Sequence, residues 1–267
     1  MRWVNLATAA VTLAVLIWQL GAGPFLDGLR AVDGEALAAA AALAVLTTAC
    51  CAWRWRIVAR GLGVDLPLST AVAAYYRSIF LNVTLPGGIV GDVHRGINHG
   101  LRPVVWERVA GQVVQIVLTV AVLLVVASPV RPVMPFVALA LVAVALAARR
   151  RLVITRAWAV IALASALVVA GHVATFLIAA RTAGVTAPLS ELLPLALLVL
   201  AGAALPNVGG WGPREGVAAW AFAAAGIGAS LGVATGVVYG VMVFVASLPG
   251  AAVLVSAATW REAAPHG

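Results

Sequence analysis

Three arginines stand where a charge is expensive. Arg77 lies eight residues after Ser69, midway along an apolar segment. Arg95 and Arg214 each follow a Leu-Pro pair and a Gly-rich stretch. A charge at membrane depth costs roughly 2.5–3.5 kcal/mol on insertion scales, so each must have a partner or face water. A phosphate suits them, because guanidinium presents a planar fork to paired oxygens. Gly87, Gly88, Gly209 and Gly210 leave backbone N–H groups open beside Arg95 and Arg214, which favours an anion. The expectation is that Arg77, Arg95, Arg214 and the two Gly loops bind a lipid phosphate. Asn82 precedes the first Leu-Pro and is placed to cap or line its loop.

Asp92 and Glu215 sit next to this chemistry. Asp92 can pair with Arg77 and Glu215 with Arg214 and lock the loops, since intramembrane charges commonly pair with each other. The two readings are compatible: the acids hold the arginines between substrates. Proton coupling at either acid requires a shifted pKa in a desolvated site. His94 and His99 read as cytoplasmic surface residues. His172 is alone in mid-span, either packed against a neighbouring helix or lining a path. Gln112 and Gln115 are either interhelical hydrogen-bond partners or cavity lining. The adjacent Cys50 and Cys51 read as small packing residues. No phosphate-cradling G-x-x-x-x-G-K, H-E-x-x-H, G-x-S-x-G or His/Cys metal spacing is present. No catalytic residue, metal or cofactor is expected, and the chain does not read as an enzyme.

These residues must be held by membrane helices. The chain has 267 residues, 64% hydrophobic and 10% charged, with a mean hydropathy of +1.09. A soluble domain carries about 25% charged residues. The composition excludes a soluble enzyme, a disordered chain and a disulfide-rich secreted domain. The net charge of +8 does not argue for nucleic acid, because no soluble domain carries a basic face. Six apolar runs reach or approach the roughly 20 residues a span needs: 3–22, 35–53, 109–128, 133–148, 157–180 and 230–257. Two more, 69–85 and 189–205, end in Leu-Pro and Gly-rich sequence.

Arginine placement sets the orientation. Eleven arginines, including Arg54, Arg56, Arg60, Arg102, Arg108 and the run Arg149 to Arg151, fall on one side, read as cytoplasmic. Both termini then lie in the cytoplasm. Residues 69–95 enter and leave from that side, and 189–228 from the other, so both read as re-entrant hairpins. Such backbone is tolerated at membrane depth only around a cavity or inside protein.

The chain also repeats itself. ARGLGVDLPLS at 59–69 and ARTAGVTAPLS at 180–190 share seven of eleven residues at an offset of 121. The orientation makes the repeats antiparallel, about 35–128 and 157–257, within a single membrane domain spanning 1–267. Inverted repeats with broken segments are a transporter architecture, with substrate near the midplane. The fold expected is an all-α polytopic membrane protein with six spans and two re-entrant hairpins in inverted repeats.

Two stretches carry a family resemblance. RSIFLNVTLPGGIVGDVHR at 77–95 and LPNVGGWGPREG at 205–216, with Glu107-Arg108 opening a long span, resemble signatures of the flippase-like membrane-domain family. That family includes the transmembrane part of lysylphosphatidylglycerol synthase. The resemblance runs from about residue 1 to 258. It implies a prokaryotic inner-membrane protein tied to lipid translocation. The chain stops seven residues after Trp260, so the synthase's soluble aminoacyl-transfer domain is not expected. The activity expected is movement of a phosphate-bearing lipid, anionic or glyco/polyprenyl, between leaflets. The alternatives are a small-anion transporter and a non-transporting membrane partner of a glycosyltransferase or lipid-modifying enzyme.

Overall fold

The structure is a computed structural model that describes residues 14, 17–85, 88–126, 130–148, 156–203 and 211–262. Eleven α-helices follow one another among them: α1 Gly23–Ala31, α2 Gly34–Gly61, α3 Leu68–Thr84, α4 Val90–His99, α5 Leu101–Val125, α6 Met134–Ala148, α7 Arg156–Thr182, α8 Leu189–Gly202, α9 Pro213–Ala224, α10 Ala229–Ser247 and α11 Pro249–Glu262.

Local chemistry fixes the key boundaries. Asp33 caps α2, its carboxylate accepting from the Ala36 N–H at 2.7 Å. The same helix ends with Gly63 at φ +79, while the Gly63 and Val64 N–H groups donate to Arg60 and Ala59 at 3.0 and 2.9 Å. This left-handed turn is a conformation that L side chains resist. Its copy ends α7. Gly184 has φ +88, and the Gly184 and Val185 N–H groups donate to Arg181 and Ala180 at 3.0 and 2.9 Å. Pro67 and Pro188 then start α3 and α8, where fixed φ suits a helix entry. The offset-121 repeat is therefore also a repeat of backbone geometry.

Packing follows the same exchange. Helices α2, α3, α4 and α5 correspond to α7, α8, α9 and α10. The pair α2·α10 is matched by α7·α5, and α3·α10 by α8·α5. Within each half, consecutive elements pack on one another. The most extensive contact is α2 against α7. Arg54 of α2 bonds Ser165 of α7, whereas Thr47 faces Gly171, so these two helices run antiparallel. Trp55 and Phe176, equivalent at offset 121, are both fully buried. Trp55 lies in a cluster with Leu66, Tyr75 and Val104. Phe176 lies in the larger one with Leu195, Phe222 and Met242.

The span count departs from expectation. Four helices, not six, are long and apolar enough to cross a membrane among the described residues: Gly34–Gly61, Leu101–Val125, Ala157–Thr182 and Ala229–Val255. The expected span 3–22 lies mostly outside the described residues. The run at 133–148 forms the 15-residue α6, roughly 22 Å long at 1.5 Å per residue. That falls short of a hydrocarbon core of about 30 Å. The segments expected to be re-entrant hairpins are each a short helix, a break and a second helix: α3 and α4, then α8 and α9. Helix length and composition do not define a re-entrant path for either.

Candidate functional site

The chain concentrates its buried charge at one place in the first half. Glu107, near the start of α5, is fully buried and accepts from three neighbours. Arg54 of α2 donates through Nε at 2.9 Å, the Tyr75 hydroxyl of α3 at 2.8 Å, and Arg95 Nη2 of α4 at 3.0 Å. Arg95 also donates to Asp92 at 3.1 Å, and Asp92 pairs with Arg108. Five charges from three helices, with the Tyr75 hydroxyl from a fourth, thus form one connected cluster. Three are guanidiniums and two are carboxylates, leaving one positive charge in surplus.

Several features make room for it. A Cβ on Gly111 would meet the Arg54 guanidinium at 2.9 Å, so only glycine admits Arg54 against α5. The fully buried Arg95 lies over the rings of Tyr75 and Trp55, 4.0 and 4.5 Å from their centroids, where a desolvated cation gains from the ring faces. Gly91 sits against the backbone of Ser78, which lets α4 approach α3. Asn82 seals that junction. Its amide donates to Asp92 at 3.0 Å, and its carbonyl accepts from the Gly91 N–H at 2.7 Å. Ser78 adds a 3.1 Å bond to Asp92. Burial pushes the Asp92 carboxyl up, but Arg108 and Arg95 outweigh it and hold it below its ordinary value. Burial, then the charges of Arg77 and Arg95, push the His99 imidazole down.

The second half carries a smaller counterpart. Arg214 Nε donates to the neighbouring Glu215 at 2.9 Å, and the Gly212 N–H donates to the same carboxylate at 2.7 Å. The Arg214 guanidinium lies 5.3 Å from the ring centroids of both Trp211 and Tyr239. Gly236 and Gly240 of α10 give this pair its seat. A Cβ at Gly240 would come within 3.0 Å of Trp211 and collide with Arg214. The G-x-x-x-G of this span is therefore a groove for α9.

Between the halves lies a cavity of about 220 Å³. Helices α2, α3, α5, α7 and α10 line it. Its polar wall includes Arg54, Arg108, Gln112, Gln115, Ser165 and His172, and valines and Met242 supply apolar wall. Arg54 also donates to Ser165 at 2.9 Å, so one guanidinium ties the first repeat to the second beside the cavity. His172 Nδ1 lies 3.1 Å from the Tyr239 hydroxyl, which links the far end of the cavity to the Arg214 pocket.

The expected site residues fall into two groups. Asn82, Asp92 and Arg95 come together, with Gly88 between Asn82 and Asp92 at φ +63. Arg77 is half-buried on α3, and its charge bears on His99. Arg214 and Glu215 form the separate second cluster. Arg214 pairs with Glu215, and Asp92 pairs with Arg95 and Arg108. None of these described residues lines the cavity. Gly87, Gly209 and Gly210 lie outside the described residues. Among the described residues no group of His, Cys, Asp or Glu is arranged to hold a metal.

Arg54, Tyr75, Glu107 and Ser165 are the residues that sequence reasoning passed over. Arg54 looked like one more cytoplasmic positive charge. The available signal was Glu107-Arg108, an acid opening a 25-residue apolar helix. Residues 2–154 match the family model for the lysylphosphatidylglycerol synthase TM region. This covers more than half the chain and includes the first signature; the second signature, at 205–216, lies beyond it. No curated protein matches the chain.

Proposed function

The chain belongs to the flippase-like family of the lysylphosphatidylglycerol synthase TM region, and we propose that it moves a phosphate-bearing lipid between leaflets. The observation that carries this reading is the cavity between the repeats, walled by Arg54 and Arg108 and backed by a cluster with surplus positive charge. Pockets that enclose a drug-sized ligand run to roughly 300–1,000 Å³. A cavity of about 220 Å³ accommodates a headgroup while the acyl chains stay in the bilayer. The phosphate meets Arg54 and Arg108 first. Arg77, Arg95 and Arg214 are further phosphate contacts, with the last two exchanging carboxylate for phosphate as the lipid passes.

In this reading the two halves are inverted repeats, residues 69–95 and 189–228 are re-entrant, and both termini face a prokaryotic cytoplasm. The antiparallel α2 and α7 and the exchange-symmetric packing support the inversion. The polarity of α4 supports re-entry. Arg95 and Gly96 are buried against protein, whereas Val93 and Ile97 are exposed, Ile97 at 79%. An apolar outer face on a helix with a charged inner face suits lipid as its surroundings.

The test is leaflet exchange of acyl-labelled phosphatidylglycerol in liposomes holding the purified protein. Exchange above empty liposomes is expected, with at least a tenfold loss in Arg108→Ala and in the double variant Arg54→Gln/Glu107→Gln. The double change removes Arg54 together with its counter-charge and leaves Arg95 its bond to Asp92. Wild-type rates in both variants overturn the reading. Because a small anion also fits the volume, phosphate uptake runs alongside. Uptake without lipid exchange transfers the assignment to an anion transporter.

A further inference from the structure

The cavity wall carries more information than a phosphate site needs. Arg108, Gln112 and Gln115 occupy positions i, i+4 and i+7 of α5, so they form one stripe along a single helix face. All three line the cavity. The stripe begins with a cation and continues with two neutral amides. Among the described residues no hydrogen bond occupies the Gln112 or Gln115 amide, although each has both donors and an acceptor to offer.

The opposite wall follows the same gradient. Arg54 bonds Ser165 at the cationic end. His172 lies seven residues further along α7, a rise of roughly 10 Å. Its Nδ1 faces Tyr239, which leaves Nε2 as the group free to bond. The Ser165 hydroxyl donates to the backbone of Ile161 at 2.7 Å, so its oxygen remains an acceptor. Among the described lining residues the charged ones are Arg54 and Arg108, with no Asp or Glu.

The geometry points to a headgroup in which the phosphate is followed by an uncharged, hydroxyl-bearing arm, such as glycerol or a sugar. This inference rests on the proposed transport of a phosphate lipid and names the class selected. The guanidinium end takes the phosphate. The amides and imidazole exchange hydrogen bonds with hydroxyls, which both donate and accept. A headgroup ending in an amine is rejected. Its ammonium would be desolvated beside a surplus cation, with neutral acceptors but no carboxylate among the described lining residues to balance it.

The test measures binding separately from transport. Dihexanoyl phosphatidylglycerol, phosphatidic acid and phosphatidylethanolamine are titrated onto the detergent-purified protein, with thermal stabilisation read by tryptophan fluorescence. Phosphatidylglycerol should bind at least tenfold more tightly than phosphatidylethanolamine. Gln115→Leu should weaken phosphatidylglycerol about tenfold, to the level of phosphatidic acid, and leave phosphatidic acid within twofold of its wild-type value. Gln112→Leu is the second variant should the first fail to fold. Equal binding of phosphatidylethanolamine, or equal weakening of both anionic lipids, overturns the inference. Free glycerol phosphate separates the sources: weaker binding than the lipid upholds a lipid ligand, and equal binding overturns it. This order of affinities without leaflet exchange would sink the transport reading alone and leave the headgroup selection standing.

Discussion

Replacing Glu107 by Gln removes the charge that Arg54, Tyr75 and Arg95 share. Breaking a buried pair from one side costs about 3–5 kcal/mol. Arg60→Ala provides the contrast, because Arg60 and Asp65 are 3.8 Å apart with side chains 55% and 88% exposed, and exposed pairs contribute about 0–1 kcal/mol. Thermal unfolding in detergent should show a large drop for Glu107→Gln and almost none for Arg60→Ala. Gly111→Ala drives a methyl into the Arg54 guanidinium and should cost about 1–3 kcal/mol as an overpacked core position. Asp92 supplies a pH dependence. Its carboxyl is held below its ordinary value, so its stabilisation is complete above the unfolded carboxylate pKa. It is lost as pH falls through the lowered folded value. Acid unfolding of Asp92→Asn should therefore be shallower than that of wild type. At this scale the sequence was only half readable. Glu215 beside Arg214 was visible as a pair of chain neighbours. Arg54 meeting Glu107 across 53 residues was not, because only the approach of α2 to α5 creates that contact.

At the scale of elements, the two glycine turns offer a paired experiment. Gly63 and Gly184 both have positive φ, and nothing lies within 4 Å of a Cβ built on either. Alanine at each should cost about 1–2 kcal/mol for the left-handed conformation alone, and the two costs should agree. Unequal losses would show that the turns bear different loads despite their matching hydrogen bonds. These turns were legible because Gly and Pro act locally and recur at a fixed offset. The lengths of α3, α6 and α8 were less so. Apolar composition marks membrane character, but a short helix ended by Pro or Gly reads much like a full span. Helix α4 was the least legible. Its charged residues face protein and its valine and isoleucine face outward, the reverse of a soluble amphipathic helix. A bimane label at Ile97→Cys should be quenched by brominated lipid if that face contacts acyl chains, and should be insensitive to it otherwise.

For the molecule as a whole, the inverted arrangement we propose would put residues 95–102 and 181–190 on opposite sides of the membrane. Asn98→Cys should react with impermeant thiol reagents from the cytoplasm and Thr186→Cys from outside, in a cysteine-free background. Reaction of both from one side would sink the inversion. Both positions are exposed, so failure to label would not reflect burial within the protein. The repeat itself needed little beyond the sequence, since Ala59, Arg60, Gly63 and Pro67 recur 121 residues on. The cavity at the junction was not readable in the same way. It depends on how α2 crosses α7, and on Arg54 being buried within protein at that crossing.

The surplus cation of the five-charge cluster has an electrical consequence. A monoanionic headgroup bound there leaves the loaded site without net charge, so membrane voltage has little grip on the loaded step. The empty site keeps its positive charge, and one elementary charge across 100 mV is worth about 2.3 kcal/mol. Voltage should therefore act on the return of the empty site. A phosphate monoester carrying two negative charges would instead transfer that sensitivity to the outward or inward passage of the lipid itself.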